Sequence, residues 1–156
     1  MDSLNWCFKI KDGLKIAEPN ERLSKSYLEQ AKLSLLRAEM NFEEKDLLWA
    51  IVTMYYFEYY AFYSFLQRIG IKCENHAGSI LAVEFLLGKE KTRIISEYKG
   101  KRTDAQYYMK IEQEEKVKAM LQEAKIFVPN FDEIGSNLSV REIQSYKEKI
   151  ISQIRS

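Results

Sequence analysis

Between Leu47 and Leu66 the chain reads LLWAIVTMYYFEYYAFYSFL, with Glu58 as its single charged side chain and no Gly or Pro. Asp46 in front can accept a bond from the first free backbone N–H groups, and Gly70 behind tolerates the left-handed residue that ends a helix. The pattern predicts a central helix with both ends marked. One face carries Val52, Tyr55, Tyr56, Tyr59, Tyr63 and Leu66; the other carries Ile51, Met54, Glu58, Ala61 and Phe65. A helix apolar nearly all round has to be covered all round, by its own bundle or in part by a second subunit. Its length, about 30 Å, would also cross a bilayer. Glu58 and the tyrosine hydroxyls argue against that, because they sit mid-helix where lipid offers no hydrogen-bond partner.

The remaining patterns read as material around this helix. Pro19-Asn20 introduces a helix to about Phe42, with Leu28, Ala31, Leu35, Ala38 and Phe42 on one stripe and Arg22, Lys25, Glu29, Lys32 and Glu39 on another. The short NFEEKD connection makes this helix an antiparallel neighbour of the central one. After Gly70, IKCENH reads as a turn, followed by a short helix from about Ala77 to Leu87 that Gly88 ends. The basic stretch 89–102 reads as a linker, and a long helix is expected from about Thr103 to Ile126, closed by Pro129 with NFDEIGSN as a loop. Ser139 and Glu142 have the spacing of a capping box and open a last helix with Ile143, Tyr146, Ile150 and Ile154. At the front, Phe8 and Ile10 alternate with Leu14 and Ile16 about Asp12-Gly13, which reads as a β-hairpin or as an irregular arm. The expected fold class is all-α, an up-and-down bundle of four to five main helices in one domain over 1–156. Its parts are an arm at 1–19, a core at 20–127 and a C-terminal helix at 139–156.

Composition narrows the chemistry. The 156 residues are 46% hydrophobic and 30% charged, with 6 Gly and 2 Pro, which suits one helical domain. A net charge of +1 gives no overall attraction to nucleic acid or an anionic membrane, so any such contact needs a local patch. The candidate patch is 89–102, with Lys89, Lys91, Arg93, Lys99, Lys101 and Arg102, close in sequence to Tyr98, Tyr107 and Tyr108. Such a run either tracks phosphates while rings stack on bases, or is a solvated helix end, the commoner case. Cys7 and Cys73 make no disulfide framework, and the opening residues have no apolar leader, so the expectation is a cytoplasmic protein with reduced thiols and no membrane segment.

His76 is the one histidine. A bundle di-iron site needs two, so that chemistry is excluded. Cys73-x-x-His76 offers two zinc ligands and Cys7 a third only if the fold brings it in, so no metal and no cofactor are expected. No Gly-rich phosphate loop is present. Glu58 reads either as a polar interface contact or as a buried carboxyl with a raised pKa.

Several segments resemble the HEPN superfamily (higher eukaryotes and prokaryotes nucleotide-binding) over about residues 21–127. They are Tyr55-Tyr56 within TMYYFEYYAFYSFL, then Arg68-Ile-Gly70-Ile-Lys-Cys-Glu74-Asn-His76, then Lys101-Arg102-Thr-Asp104-Ala105-Gln-Tyr107. The resemblance implies a helical bundle, a homodimer, and a frequent pairing with a minimal nucleotidyltransferase in toxin–antitoxin-type systems. It also implies a cleft for nucleotide or RNA, to which Tyr56, Glu74, Arg102, Asp104 and Tyr107 would contribute. Ribonuclease members of the superfamily use an Arg-x4–6-His motif, here best matched by Arg68 and His76, which would be the catalytic pair of a metal-independent endoribonuclease with Arg68 or Arg102 on the phosphate. Seven residues separate Arg68 from His76, a departure that makes a binding or partner role the first expectation and catalysis the second. A purely structural assembly subunit is the third.

Overall fold

The structure, a computed structural model, describes residues 4–154; residues 1–3 of the expected arm and 155–156 of the expected last helix lie outside it. Its two longest neighbours are α2 (Glu21–Glu43) and α3 (Leu47–Ile69). Asn20 caps α2 by accepting from Leu23 N at 2.9 Å, and Asp46 caps α3 by accepting from Trp49 N at 3.2 Å. Gly70 ends α3 at φ +80°, and a β-carbon there would meet the Ala17 carbonyl oxygen at 2.5 Å. The pair is antiparallel: Asn20 N bonds Gln67 O, and Ser24 and Ser64 exchange hydroxyl-to-carbonyl bonds of 2.8 and 2.7 Å. Small residues Ser24, Ala31, Ser34 and Ala38 are the buried positions of α2, which lets the two backbones approach closely.

Around α3 the chain places β2 (Ile71–Cys73), α4 (His76–Leu87), α5 (Lys89–Tyr108), α6 (Glu114–Ser136) and α7 (Val140–Ile154). The result is the expected all-α bundle, with α3 as its spine. Val52, Tyr55, Tyr59, Tyr63 and Leu66 on one face, and Ile51, Met54, Glu58, Ala61 and Phe65 on the other, are all buried. Among the described residues, no helix is long and apolar enough to cross a membrane. The capping box at Ser139 forms in both directions, Glu142 N to Ser139 Oγ at 3.1 Å and Ser139 N to Glu142 Oε1 at 3.3 Å.

Four local expectations are corrected. The hairpin does not form: Asn5–Lys9 is a short helix, α1, and Leu14–Ile16 is a strand, β1, paired antiparallel with β2 as Leu14↔Cys73 and Ile16↔Ile71. A lone hairpin has no core to face, whereas pairing with β2 buries Leu4, Cys7 and Leu14. IKCENH is correspondingly a strand and helix cap rather than a turn alone. The basic stretch is helical from Lys89, because Thr92, Ile95, Tyr98 and Ala105 form a narrow buried stripe that its charges disguise. The break falls later, at Met109 (φ +54°) through Gln113, and the Lys101–Glu112 ion pair spans it. Finally, Pro129 lies inside α6. A mid-helix proline costs about 3 kcal/mol, and the burial of Phe127, Val128 and Phe131 around it offsets that loss.

Candidate functional site

His76 is the first residue of α4, behind the N-cap Asn75, whose side chain accepts from Gly78 N at 2.9 Å. The N-terminal arm fixes this point: Asp12 O accepts from Glu74 N at 3.1 Å and Asn75 N at 2.9 Å. The imidazole lies against three tyrosines of α3. Its Nδ1 shares a 2.7 Å hydrogen bond with the Tyr55 hydroxyl, the Tyr59 ring stacks on it at 3.9 Å, and Tyr56 stands edge-on at 6.4 Å. Tyr55 and Tyr59 are one turn apart, which is why both reach the same ring.

From α5, Arg102 covers the cluster. Its guanidinium carbon is 4.5 Å from the centre of the Tyr55 ring and 5.9 Å from that of Tyr56. Its Nε is buried and has no acceptor among the described residues. Burial, then the charges of Arg102 and Lys99, hold the His76 pKa below its ordinary 6.5. The ring is therefore neutral at neutral pH, one nitrogen a donor and the other an acceptor. Burial pushes the Tyr55 hydroxyl up to about 12, against the opposing pull of Arg102, so it stays protonated; it donates to Nδ1 or accepts from it according to the imidazole tautomer. A neutral imidazole beside a guanidinium that has no ion-pair partner among the described residues suits an anionic ligand such as a phosphate ester.

Of the residues named from the sequence, His76, Arg102 and Tyr56 meet here. Arg68 does not join them. It pairs with Glu21 at 3.8 Å and lines a small cavity with Ser24, Phe65 and Asp132. The reason is helical: it is nine positions on from Tyr59, about 14 Å along the axis and half a turn round it. Glu74 is exposed and pairs with Lys72 at 3.2 Å. Asp104 is exposed at the end of α5, where its carbonyl accepts from Lys110 N at 2.9 Å. Tyr107 is 67% exposed and points away from the buried stripe. The members that sequence reading did not assign to the site are Tyr55, Tyr59 and Lys99. The one-turn spacing of the two tyrosines was an available signal, and Lys99 three residues before Arg102 becomes one once α5 is known to start at Lys89.

The metal reading resolves in two parts. Cys7 and Cys73 do converge, since a β-carbon on Gly78 would fall 2.7 Å from one sulfur and 3.0 Å from the other. Yet His76 Nδ1 is engaged by Tyr55, burial raises both thiol pKa values (Cys7 to about 11), and among the described residues no group of three or more His, Cys, Asp or Glu side chains could hold a metal. Glu58 also lies on α3. It is fully buried, has no hydrogen-bond partner among the described residues, and burial followed by the charges of Glu123 and Glu97 raises its pKa well above 4.5.

No protein-family model, no curated protein and no solved structure matches the chain.

Proposed function

We propose that this helical bundle is a HEPN-like module that binds RNA or a nucleotide through phosphate, at the cluster formed by His76, Arg102 and the α3 tyrosines. One observation carries the reading: the Arg102 guanidinium is held on the Tyr55 and Tyr56 rings with a buried, unpartnered Nε, beside a neutral imidazole. No ion pair engages Arg102 among the described residues, and a phosphate supplies the charge partner its guanidinium lacks. Titration of a labelled single-stranded RNA, followed by anisotropy at several salt concentrations, tests it. Affinity should fall as salt rises, and Arg102→Ala should weaken binding about tenfold or more and lower the salt slope by about 0.7. Arg68→Ala, on the opposite side of α3, should leave both unchanged. Equal binding by wild type and Arg102→Ala sinks the reading.

A second reading has its own support in the neutral state of His76. A metal-independent endoribonuclease needs a base for the 2′-hydroxyl and a cation on the phosphate, and here Arg102 rather than Arg68 would supply the cation. In the tautomer whose Nδ1–H donates to the Tyr55 hydroxyl, Nε2 would take the proton of the 2′-hydroxyl, and the 2′-oxygen would attack phosphorus. The bond to the 5′-oxygen would break, and that oxygen would take up a proton, leaving a cyclic phosphate and a 5′-hydroxyl. RNA cleavage in the presence of a chelator, lost in His76→Ala, is the expected result; an intact RNA after incubation with wild type removes this reading and leaves binding alone. A homodimer and a minimal nucleotidyltransferase partner go with the HEPN-like reading. The apolar residues that α2 leaves exposed, Leu33, Leu36 and Met40, are the surface available for a dimer, which sedimentation would detect.

A further inference from the structure

A cavity of about 230 Å³ opens between α4 and α5, with Trp6 of α1 as one wall. On α4 its lining positions 77, 80, 81 and 84 share one face of the helix. On α5 Ser96 and Lys99 line it, and Arg102 continues the same three-residue spacing to the His76 cluster. Lys99 belongs to both places, since it lines the cavity and its charge acts on His76. Ala77 beside His76 on α4, and Lys99 one turn before Arg102 on α5, thus set the cavity next to the cluster along both helices.

We infer that this cavity binds a guanine base, stacked on Trp6 and read by Glu84, with the attached phosphate at Arg102 and His76; the placement of the phosphate rests on the function proposed above. Three features select this ligand. Trp6 is 39% exposed, and Ile80 and Leu81 line the same cavity, so a flat ring would meet one aromatic and two apolar side chains there. Glu84 lines the cavity with one carboxylate oxygen 3.2 Å from Thr92 Oγ1, whose single proton is shared between that oxygen and the Lys89 carbonyl, also at 3.2 Å. An ionised carboxylate only accepts, so it suits the adjacent ring and amino N–H donors of guanine and opposes the ring-nitrogen acceptor that adenine presents there. The Lys99 ammonium only donates, which suits the guanine carbonyl oxygen.

The test uses fluorescence. The chain has two tryptophans, and the Trp49→Phe protein keeps Trp6 as its single indole, because Trp49 is at the exposed start of α3. Guanosine 5′-monophosphate should quench Trp6 saturably, and adenosine 5′-monophosphate should require at least tenfold higher concentration. Glu84→Gln should bring the two to within a few fold, and Arg102→Ala should weaken the guanine nucleotide while leaving the plain nucleoside guanosine unchanged. Equal affinity for the two nucleotides, or a preference that survives Glu84→Gln, overturns the guanine assignment. Arg102-dependent nucleotide binding with no change at Trp6 overturns the cavity and leaves the phosphate reading standing. Saturable quenching by guanosine that a phosphate does not tighten upholds the cavity and overturns the phosphate reading.

Discussion

The two aromatic sides of α3 differ by one atom per ring, and that atom separates structure from chemistry. Toward α6 the rings are phenylalanines: Phe62 lies 5.6 Å from Phe127 and 4.8 Å from Phe131, and those two are 4.8 Å apart. Toward α4 and α5 they are tyrosines, gathered on His76 and Arg102. Burying a phenol requires a partner for its hydroxyl, so tyrosines are retained where a polar neighbour exists. On the phenylalanine side the rings pack on one another and are buried. The tyrosine side meets an imidazole and a guanidinium, one of whose donors is unused.

Breaking the phenylalanine side should give the largest effect on stability. Phe62→Ala removes a fully buried ring from the stack with Phe127 and Phe131 and should cost about 3–5 kcal/mol in urea unfolding, with the ligand site unchanged in the protein that remains folded. A loss under 1 kcal/mol would mean that this side is loosely packed.

The next contrast is in pH. Glu58 has a folded pKa raised above 4.5, so the unfolded chain ionises first and stability falls as pH rises from about 4.5 through the folded value. His76 has a folded pKa below 6.5, so both states are neutral above 6.5, and stability falls as pH drops from there because the unfolded imidazole takes its proton first. Glu58→Gln should therefore flatten the alkaline side of the stability profile and His76→Gln the acid side. A Glu58→Gln profile that keeps the wild-type fall with rising pH would contradict the buried neutral acid.

The smallest effect is the sharpest for the site. Tyr55→Phe removes one hydroxyl and its 2.7 Å bond to Nδ1, for about 1 kcal/mol of stability. Since His76 is the sole histidine, its imidazole signals are unambiguous in an NMR titration. They should move in Tyr55→Phe and stay in place in Phe62→Ala.

Much of the bundle was legible because its signals are local. Asp46 and Gly70 bracket α3, and Ser139 with Glu142 opens α7, each through bonds made within one turn. The failures share a cause as well. β1 has no partner nearby in the chain; its partner follows α3. Pro129 breaks helices by local rules and is carried through by the burial of Phe127 and Phe131. The start of α5 is hidden because its buried stripe is narrow beside its lysines and arginines.

The site divides the same way. The sequence by itself determined that α3 is buried on most sides, that His76 follows it across a short connection, and that a cluster of tyrosines lies on its faces, because helical periodicity and end signals are properties of neighbouring residues. Only the tertiary structure decided which arginine meets the histidine. Arg68 is nearer in sequence, but half a helical turn points it toward α2 and α6. Arg102 is distant in sequence, and the turn at Gly88 folds α5 back along α4 so that its guanidinium lies on Tyr55 beside His76. Spacing along a chain sets direction within one helix; packing between helices sets what each side chain faces.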